Sequence, residues 1–392
     1  MKVLIYGEYF LPVVGGVQTA LNLLARGLVD WRPPDGATAS GFEVTLVTQT
    51  AADGHNDSAL PYRVVRSPGF FELLRLVWTA DVIHLAGPCF LPMLVAWLFA
   101  KPMVVEHHGY HAACPNGLLF YEPTQSQCPG HFMARRYKEC LRCNSASMGR
   151  LGSLRLFLLS FPRRWLCTRI AGNIAISNHV NGRLQLPRSR TIHYGIDVTA
   201  LPTGAAPRRR SGALEIGYVG RLVAEKGLPV LLQAAKRLRD DGVEFHLTLI
   251  GDGPERARLE ALIDRFGLQR QVSLTGDLRG DALEQAVNKI EAVVMPSLWE
   301  ETAGLAAIEQ MMRGQVVVAA DIGGLGEVVG NAGLKFSAGD SGALSSCLKR
   351  VGEEPSLAAS LGSAARARAV EVFTHDNMIQ EHVSLYQEAL AR

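Results

Sequence analysis

The residues best placed to do chemistry follow a short apolar run at 215–219. They are Gly220-Arg221-Leu222-Val223-Ala224-Glu225-Lys226-Gly227. Arginine offers a planar fork of donors and lysine a mobile point charge, so Arg221 and Lys226 suit an anion of the diphosphate kind. Taken alone, two solvated loop charges would read the same way. Ile250-Gly251-Asp252-Gly253-Pro254 ends the next strand pattern, with glycines that allow close backbone approach and a proline suited to the first turn of a helix. A third loop, Pro296-Ser297-Leu298-Trp299-Glu300-Glu301-Thr302-Ala303-Gly304-Leu305, opens a helix near Gly304. Free N–H groups at the Gly304-Leu305 helix start attract anions. Glu301 and Glu309 lie on either side of that start. Carboxylates repel phosphate, so beside an anion they suit the hydroxyls of a sugar; the plain alternative is that both face solvent. Gly323-Gly324-Leu325-Gly326-Glu327 adds another close-approach turn.

These loops need strands to present them. Apolar runs at 2–6, 42–48, 62–66, 81–85, 103–106, 173–177 and 191–193 alternate with helical patterns at 17–28, 70–79 and 89–100. A second series follows, with strands at 215–219, 245–250, 272–275, 292–295 and 316–320 and helices at 228–239, 254–266, 281–289 and 305–313. Such alternation predicts parallel βαβ units and open α/β sheets. The polar stretch 199–213, with two prolines and three consecutive arginines, reads as a linker. We therefore expect a domain over 1–198, a second over 214–372, and a last segment at 373–392. Two such halves imply a cleft, since open sheets bind ligands beyond the carboxyl ends of their strands.

Composition narrows the class. The chain has 392 residues, 48% apolar, with 40 basic against 37 acidic residues. That excludes wholesale disorder and argues against a nucleic-acid binder, which would show a basic excess. No stretch reads as a signal peptide or a spanning helix, so we expect a cytosolic protein, at most peripheral at the inner face of the cell membrane. Its seven cysteines are then expected as thiols or metal ligands. Cys114, Cys128, Cys140 and Cys143 fall close together in an insert over 110–145, and the C-x2-C pair Cys140/Cys143 suits a structural zinc site, with buried or free thiols as the other reading. Residues 149–172 mix five arginines with leucines, phenylalanines and a tryptophan. We expect a packed core helix there, with a membrane-docking amphipathic helix as the alternative.

Taken in order, strand-G-R-x4-K-G, I-G-x-G-P, P-S-x3-E-x2-G-L-x3-E and G-G-x2-E resemble the retaining glycosyltransferases of family 4, the group 1 glycosyl transferases. Pro12-Val13-Val14-Gly15-Gly16-Val17, Ala80-Asp81-Val82-Ile83-His84, Ile192-His193-Tyr194-Gly195-Ile196-Asp197 and Phe373-Thr374-His375 extend the resemblance over almost the whole chain. The resemblance implies a GT-B fold: α/β, two Rossmann-like domains facing across a cleft, acceptor on the first and nucleotide sugar on the second. A C-terminal helix at 376–390 would cross back to the first domain. It implies that Arg221 and Lys226 hold the donor diphosphate, Glu309 the ribose and Glu301 the transferred sugar. Gly15 and Gly16 would bring backbone to a phosphate or the acceptor, and His108, preferred over His107, would contact the donor sugar. The implied activity is retaining transfer from a UDP- or GDP-sugar to a glycan or lipid-linked acceptor, with no catalytic cofactor; the sequence has no D-x-D motif. Some members of the family resemble the cysteine insert (H-G-x4-C-P, then C, then C-x2-C), which fits a structural knuckle. Glu301-Thr302-Ala303-Gly304 departs from the family's frequent E-G-F-G, so the sugar is not implied. A sugar-nucleotide epimerase of the same fold and a non-catalytic nucleotide-sugar-binding subunit are the rival readings. The first turn does not fit G-x-G-x-x-G, which speaks against a dehydrogenase.

Overall fold

The computed structural model describes residues 1–13, 15–33, 41–198 and 212–391. Val14 of the first glycine loop, residues 199–211 of the expected linker and the last residue of the C-terminal segment lie outside them. The chain forms two compact units. One comprises Met1–Pro123, Cys128–Ile196 and Phe373–Arg392; the other comprises Thr124–Gln127 and Asp197–Val372.

The first unit is built on a seven-stranded parallel sheet. Its order is Arg63–Arg66, Glu43–Thr48, Lys2–Gly7, Val82–Ala86, Met103–His107, Gly172–Ala175, Ser189–Thr191. The central strands are buried on both faces, as near-continuous runs such as Val3-Leu4-Ile5 and Met103-Val104-Val105 require. Strand order reverses between Lys2–Gly7 and Val82–Ala86. The last two strands sit one or two residues earlier than their apolar runs suggest.

The C-terminal helix His375–Leu390 belongs to this unit. Thr374 caps it by accepting from the Asn377 N–H, and residue 374 bridges Ile196 in parallel. Its buried face, with Met378, Ile379, Val383 and Tyr386, joins the core under Lys2–Gly7 and helix Gly16–Asp30. Gly27 makes the helix–helix approach feasible: a Cβ there would meet Ile379 Cδ1 at 2.4 Å.

Residues 149–172 differ from expectation. Helix Tyr137–Cys167 kinks at Gly149 (φ 70°), and its second arm buries Ser153, Phe157 and Ser160. Leu166 and Cys167 are buried as well, but a second apolar stripe lies outside: Leu151 is 81% exposed, and Leu154, Leu158, Phe161 and Trp165 are also exposed. The core-helix expectation holds for that buried face and is corrected for the exposed stripe. Periodicity marks an apolar stripe but not what covers it.

The second unit has six parallel strands in the order Val272–Gly276, Phe245–Ile250, Leu214–Val219, Ala292–Met295, Val316–Ala320, Leu334–Phe336. Its order reverses between Leu214–Val219 and Ala292–Met295, the strands that feed the 220–227 and 296–304 loops. Helices Leu228–Asp240, Arg256–Phe266, Ser341–Glu353 and others cover the sheet. Gly323–Val329 is a helix rather than a bare turn; Gly324, Leu325, Gly326 and Val328 are buried in it, and packing overrides glycine's low propensity.

Candidate nucleotide-binding site

The second unit gathers its functional loops at one end of its sheet. Leu222 N–H donates to the Asp252 carbonyl (2.8 Å) and Glu255 N–H to the Leu222 carbonyl (3.0 Å), joining the first two loops. Glycine is obligatory in this contact. Gly251 has φ +133°, and a Cβ on it would sit 2.0 Å from the Gly220 carbonyl oxygen. On the other side of the reversal, Leu298 N–H donates to the Glu225 carbonyl (2.9 Å). Gly227, at φ +69°, lets the Pro296 carbonyl close to within 2.0 Å of where a Cβ would stand. The three loops are one backbone assembly at the point where open α/β sheets take ligands.

Within it, Lys226 Nζ donates to Glu301 Oε1 at 2.6 Å, and Ser297 Oγ donates to the same oxygen. Glu301 is buried. Burial alone would raise its carboxyl, but the Lys226 charge and the hydrogen bonds from Lys226 and Ser297 hold it below the ordinary value. Lys226 Nζ also lies 5.9 Å from the Trp299 ring centroid. An ammonium has three donors, so Lys226 keeps others for a ligand. Glu301 Oε2 stands beside Gly304, 4.0 Å from where a Cβ would be. The Gly323-Gly324 turn fixes Glu301 from behind: Gly324 N–H donates to the Glu301 carbonyl at 2.6 Å.

Helix Leu305–Met312 starts at Gly304 (φ 85°) without a side-chain cap. Ala307 and Ile308 N–H groups bond the Gly304 carbonyl, and those of Leu305 and Ala306 have no backbone partner among the described residues. Glu309, partly buried on that helix, makes no side-chain hydrogen bond to a described residue. Burial pushes its carboxyl up to about 7 against the charge of Arg313. Arg221 is exposed at the first loop and makes no side-chain hydrogen bond or ion pair to a described residue. The structure therefore brings Lys226 and Glu301 into contact and leaves Arg221 and Glu309 uncommitted. Ser297 and Trp299 escaped the sequence reading, because nothing in their spacing marks them as partners of Lys226 and Glu301.

The other expected residues lie in the first unit. Gly15 precedes and Gly16 begins helix Gly16–Asp30, after the strand at the reversal of that sheet. His107 and His108 take different places. His107 ends its strand, fully buried, its Nε2 2.9 Å from Asn173 Oδ1, and burial pushes it down to about 4. His108 stacks on Tyr194 (centroids 5.7 Å, 13° apart), with Nδ1 2.8 Å from the Tyr194 hydroxyl. Burial also holds the His108 imidazole below its ordinary range, despite Glu106 nearby. Its Nε2 has no hydrogen-bond partner. Tyr194 entered the sequence reading only as part of the 192–197 segment, with no partner suggested for it.

Cys114, Cys128, Cys140 and Cys143 are buried around one small pocket with Asn116 and His131. Cys114 Sγ donates to Asn116 Oδ1 (3.1 Å), and burial pushes Cys114 up to about 11 and Cys140 to about 12. They do not form a group of ligand atoms within 4.8 Å of one another. Among the described residues that arrangement occurs at His84, Glu106 and His382.

Residues 205–368 match the family described as glycosyl transferases group 1. The chain is 36% identical over 148 residues to the 2-deoxystreptamine glucosyltransferase of Streptomyces kanamyceticus, covering 37% of this chain and 38% of that protein. It is 32% identical over 200 residues to a glycogen synthase of Mycobacterium tuberculosis, covering 50% and 48%. The chain thus spans less than half the length of these curated relatives. The Anabaena protein HepE, solved in complex with UDP, superposes with a TM-score of 0.72 at 19% identity, over 98% of this chain and 99% of that one. A sucrose-phosphate synthase from Thermosynechococcus elongatus gives 0.72 at 19% identity, over 100% and 99%. The fold is GT-B: α/β, with two Rossmann-like domains.

Proposed function

We propose that this chain is a retaining glycosyltransferase that moves a sugar from a nucleoside diphosphate sugar to a glycan or lipid-linked acceptor. The observation that carries the reading is the Lys226–Glu301 pair at the sheet reversal of the second unit. It sits in the same loop assembly as an uncapped helix start, and Glu309 is uncommitted on that helix. Departure of a nucleoside diphosphate builds negative charge. Lys226, Arg221 and the N–H groups after Gly304 would meet that charge from fixed positions, without a metal in the chemical step. Glu301 would accept from hydroxyls of the transferred sugar through Oε2, its other oxygen being engaged by Lys226 and Ser297. Glu309 would accept from the ribose.

In the first unit, His108, stacked on Tyr194 at the end of its strand, would contact the donor sugar. The Gly15-Gly16 helix start would meet the acceptor or a phosphate. UDP is the nucleotide held by the Anabaena protein of the same fold, so a UDP-sugar is the first donor to test, then a GDP-sugar. A lipid-linked acceptor draws support from the exposed stripe Leu151, Leu154, Leu158, Phe161 and Trp165, with Arg150 and Arg155 on the same arm. That composition suits the interface of an anionic membrane. No helix of the described residues is long and apolar enough to cross one.

The test is nucleotide release from UDP- and GDP-sugars with candidate acceptors, followed by NMR of the new glycosidic bond. Acceptor-dependent release with the donor's anomeric configuration retained is expected. Acceptor-independent change of the sugar would favour the epimerase reading, and binding without turnover the silent subunit.

A further inference from the structure

A second cluster lies deep in the first unit, and the donor site makes no use of it. His84 comes from strand Val82–Ala86, Glu106 from Met103–His107 and His382 from the C-terminal helix His375–Leu390. Their side chains are 0%, 4% and 1% exposed. His84 Nε2 is 3.1 Å and His382 Nε2 3.6 Å from the same oxygen, Glu106 Oε2, and all three atoms lie within 4.8 Å of one another. A third imidazole nitrogen, His108 Nε2, is 3.7 Å from that oxygen.

The far nitrogen of each ring is already engaged. His382 Nδ1 is 2.8 Å from the Met378 carbonyl. A carbonyl only accepts, so that nitrogen carries the proton. His382 Nε2, on the opposite side of the ring, is aimed at a carboxylate oxygen 3.6 Å away and has no hydrogen-bond partner among the described residues. A buried ring nitrogen and a buried carboxylate oxygen at that separation in a dry interior need a positive charge, a proton or a metal ion, between them. His84 Nδ1 is held by the Tyr386 hydroxyl at 2.8 Å and His108 Nδ1 by that of Tyr194. Outer hydrogen bonds of this kind orient imidazoles that bind a metal through the opposite nitrogen.

The geometry points to a buried zinc-type divalent metal site made by His84 Nε2, Glu106 Oε2 and His382 Nε2, with a fourth position open toward His108. Four-coordinate zinc with bonds near 2.0–2.1 Å places its ligand atoms about 3.3 Å apart. The 3.1 and 3.6 Å separations bracket that value. Two imidazoles and one carboxylate are a donor set that zinc accepts. The ion would clamp the C-terminal helix to the two strands and fix Glu106 beside His108. It is a positioning site, independent of whether the chain transfers sugars.

Elemental analysis of the purified full chain, then of chain stripped by chelator and reloaded with zinc, tests this. About one equivalent of zinc is expected in wild type, little in His382→Gln, and undiminished content in a Cys140→Ser/Cys143→Ser control. Tyr386→Phe, which only frees His84 Nδ1, should weaken zinc binding about 10- to 100-fold. Should His382→Gln fail to fold, cobalt loaded into wild type decides: a visible d–d spectrum without thiolate charge-transfer bands is expected. Wild type that neither carries nor takes up metal would overturn the proposal and leave an imidazolium between His382 and Glu106. So would metal lost in the cysteine variant but kept in His382→Gln, or cobalt bound through thiolates.

Discussion

Replacing Lys226 by Met separates two jobs that one side chain performs. Lys226 neutralises Glu301, and on our reading it also binds the donor diphosphate. The Lys226 side chain is 22% exposed and that of Glu301 7%. Removing one partner of a buried pair costs about 3–5 kcal/mol, and the partial exposure of Lys226 puts this case near the lower end, about 3 kcal/mol. For a unit of this size that lowers Tm by about 6–12 °C. Losing a charge-assisted hydrogen bond to a diphosphate, worth about 1.5–3 kcal/mol, weakens UDP binding about 10- to 100-fold. The double variant Lys226→Met/Glu301→Gln should regain most of the stability, because no buried charge remains, yet not the UDP affinity. UDP carries no transferred sugar, so loss of the Glu301 charge does not confuse the readout.

The pH dependence has a definite sign. Glu301 is depressed in wild type, so its contribution is present above the ordinary carboxyl range and lost as pH falls through its folded value. In Lys226→Met, burial raises the same carboxyl, and that variant is relieved as pH falls. The stability gap between the two proteins should therefore narrow in acid. Thermal melts across pH and calorimetric UDP titrations of the three proteins provide the comparison. Unchanged UDP affinity in Lys226→Met, or a double variant as unstable as the single, would refute the reasoning.

Three further outcomes are expected. Arg221→Ala, at an exposed side chain, should change stability by less than about 0.5 kcal/mol while weakening UDP binding about tenfold; equal affinity in calorimetry removes Arg221 from the diphosphate. Glu309 has its carboxyl raised to about 7, so its stabilising contribution is present in acid and lost as pH rises through 7. Glu309→Gln should flatten that slope in melting curves and remove the part of UDP affinity that rises with pH over the same window; an unchanged slope would contradict the assignment. Gly251→Ala forces a Cβ into the Gly220 carbonyl and should cost about 3 kcal/mol or more, with UDP binding impaired; near-wild-type melting would mean that the two loops are not locked as described.

The strand series was largely legible because strands buried on both faces of a parallel sheet are short, uninterrupted apolar runs. Phe245–Ile250, Ala292–Met295 and Val316–Ala320 match their predicted bounds. The glycines of the 220–227 and 251–253 loops were legible because only glycine fits where a second backbone closes in, as at Gly227 and Gly251. Helix Ser341–Glu353 was not foreseen although it buries Leu344, Leu348 and Val351 at helical spacing; Pro355–Val372 was not foreseen because its buried face is mostly alanine and glycine, with Ala365 and Ala369 fully buried. Hydrophobic periodicity barely registers such faces. The stripe at 151–165 was legible as amphipathic but not as outward-facing. Ser297 and Tyr194 gained meaning only once the fold set them beside Glu301 and His108. The cluster of His84, Glu106 and His382 could not be read at all, because two strands and the last helix bring together residues far apart in the chain.

The central claim is that the second unit holds a nucleoside diphosphate sugar at Lys226, Glu301 and Glu309. Thermal-shift measurement of wild type and Lys226→Met against UDP-, GDP- and ADP-sugars tests it most directly. The account predicts that one nucleotide class raises the wild-type Tm, by about 2.7 kcal/mol of stabilisation at a hundred times its Kd, and leaves the variant nearly unmoved. No stabilisation of wild type by any nucleotide sugar, or the same shift in both proteins, would contradict it.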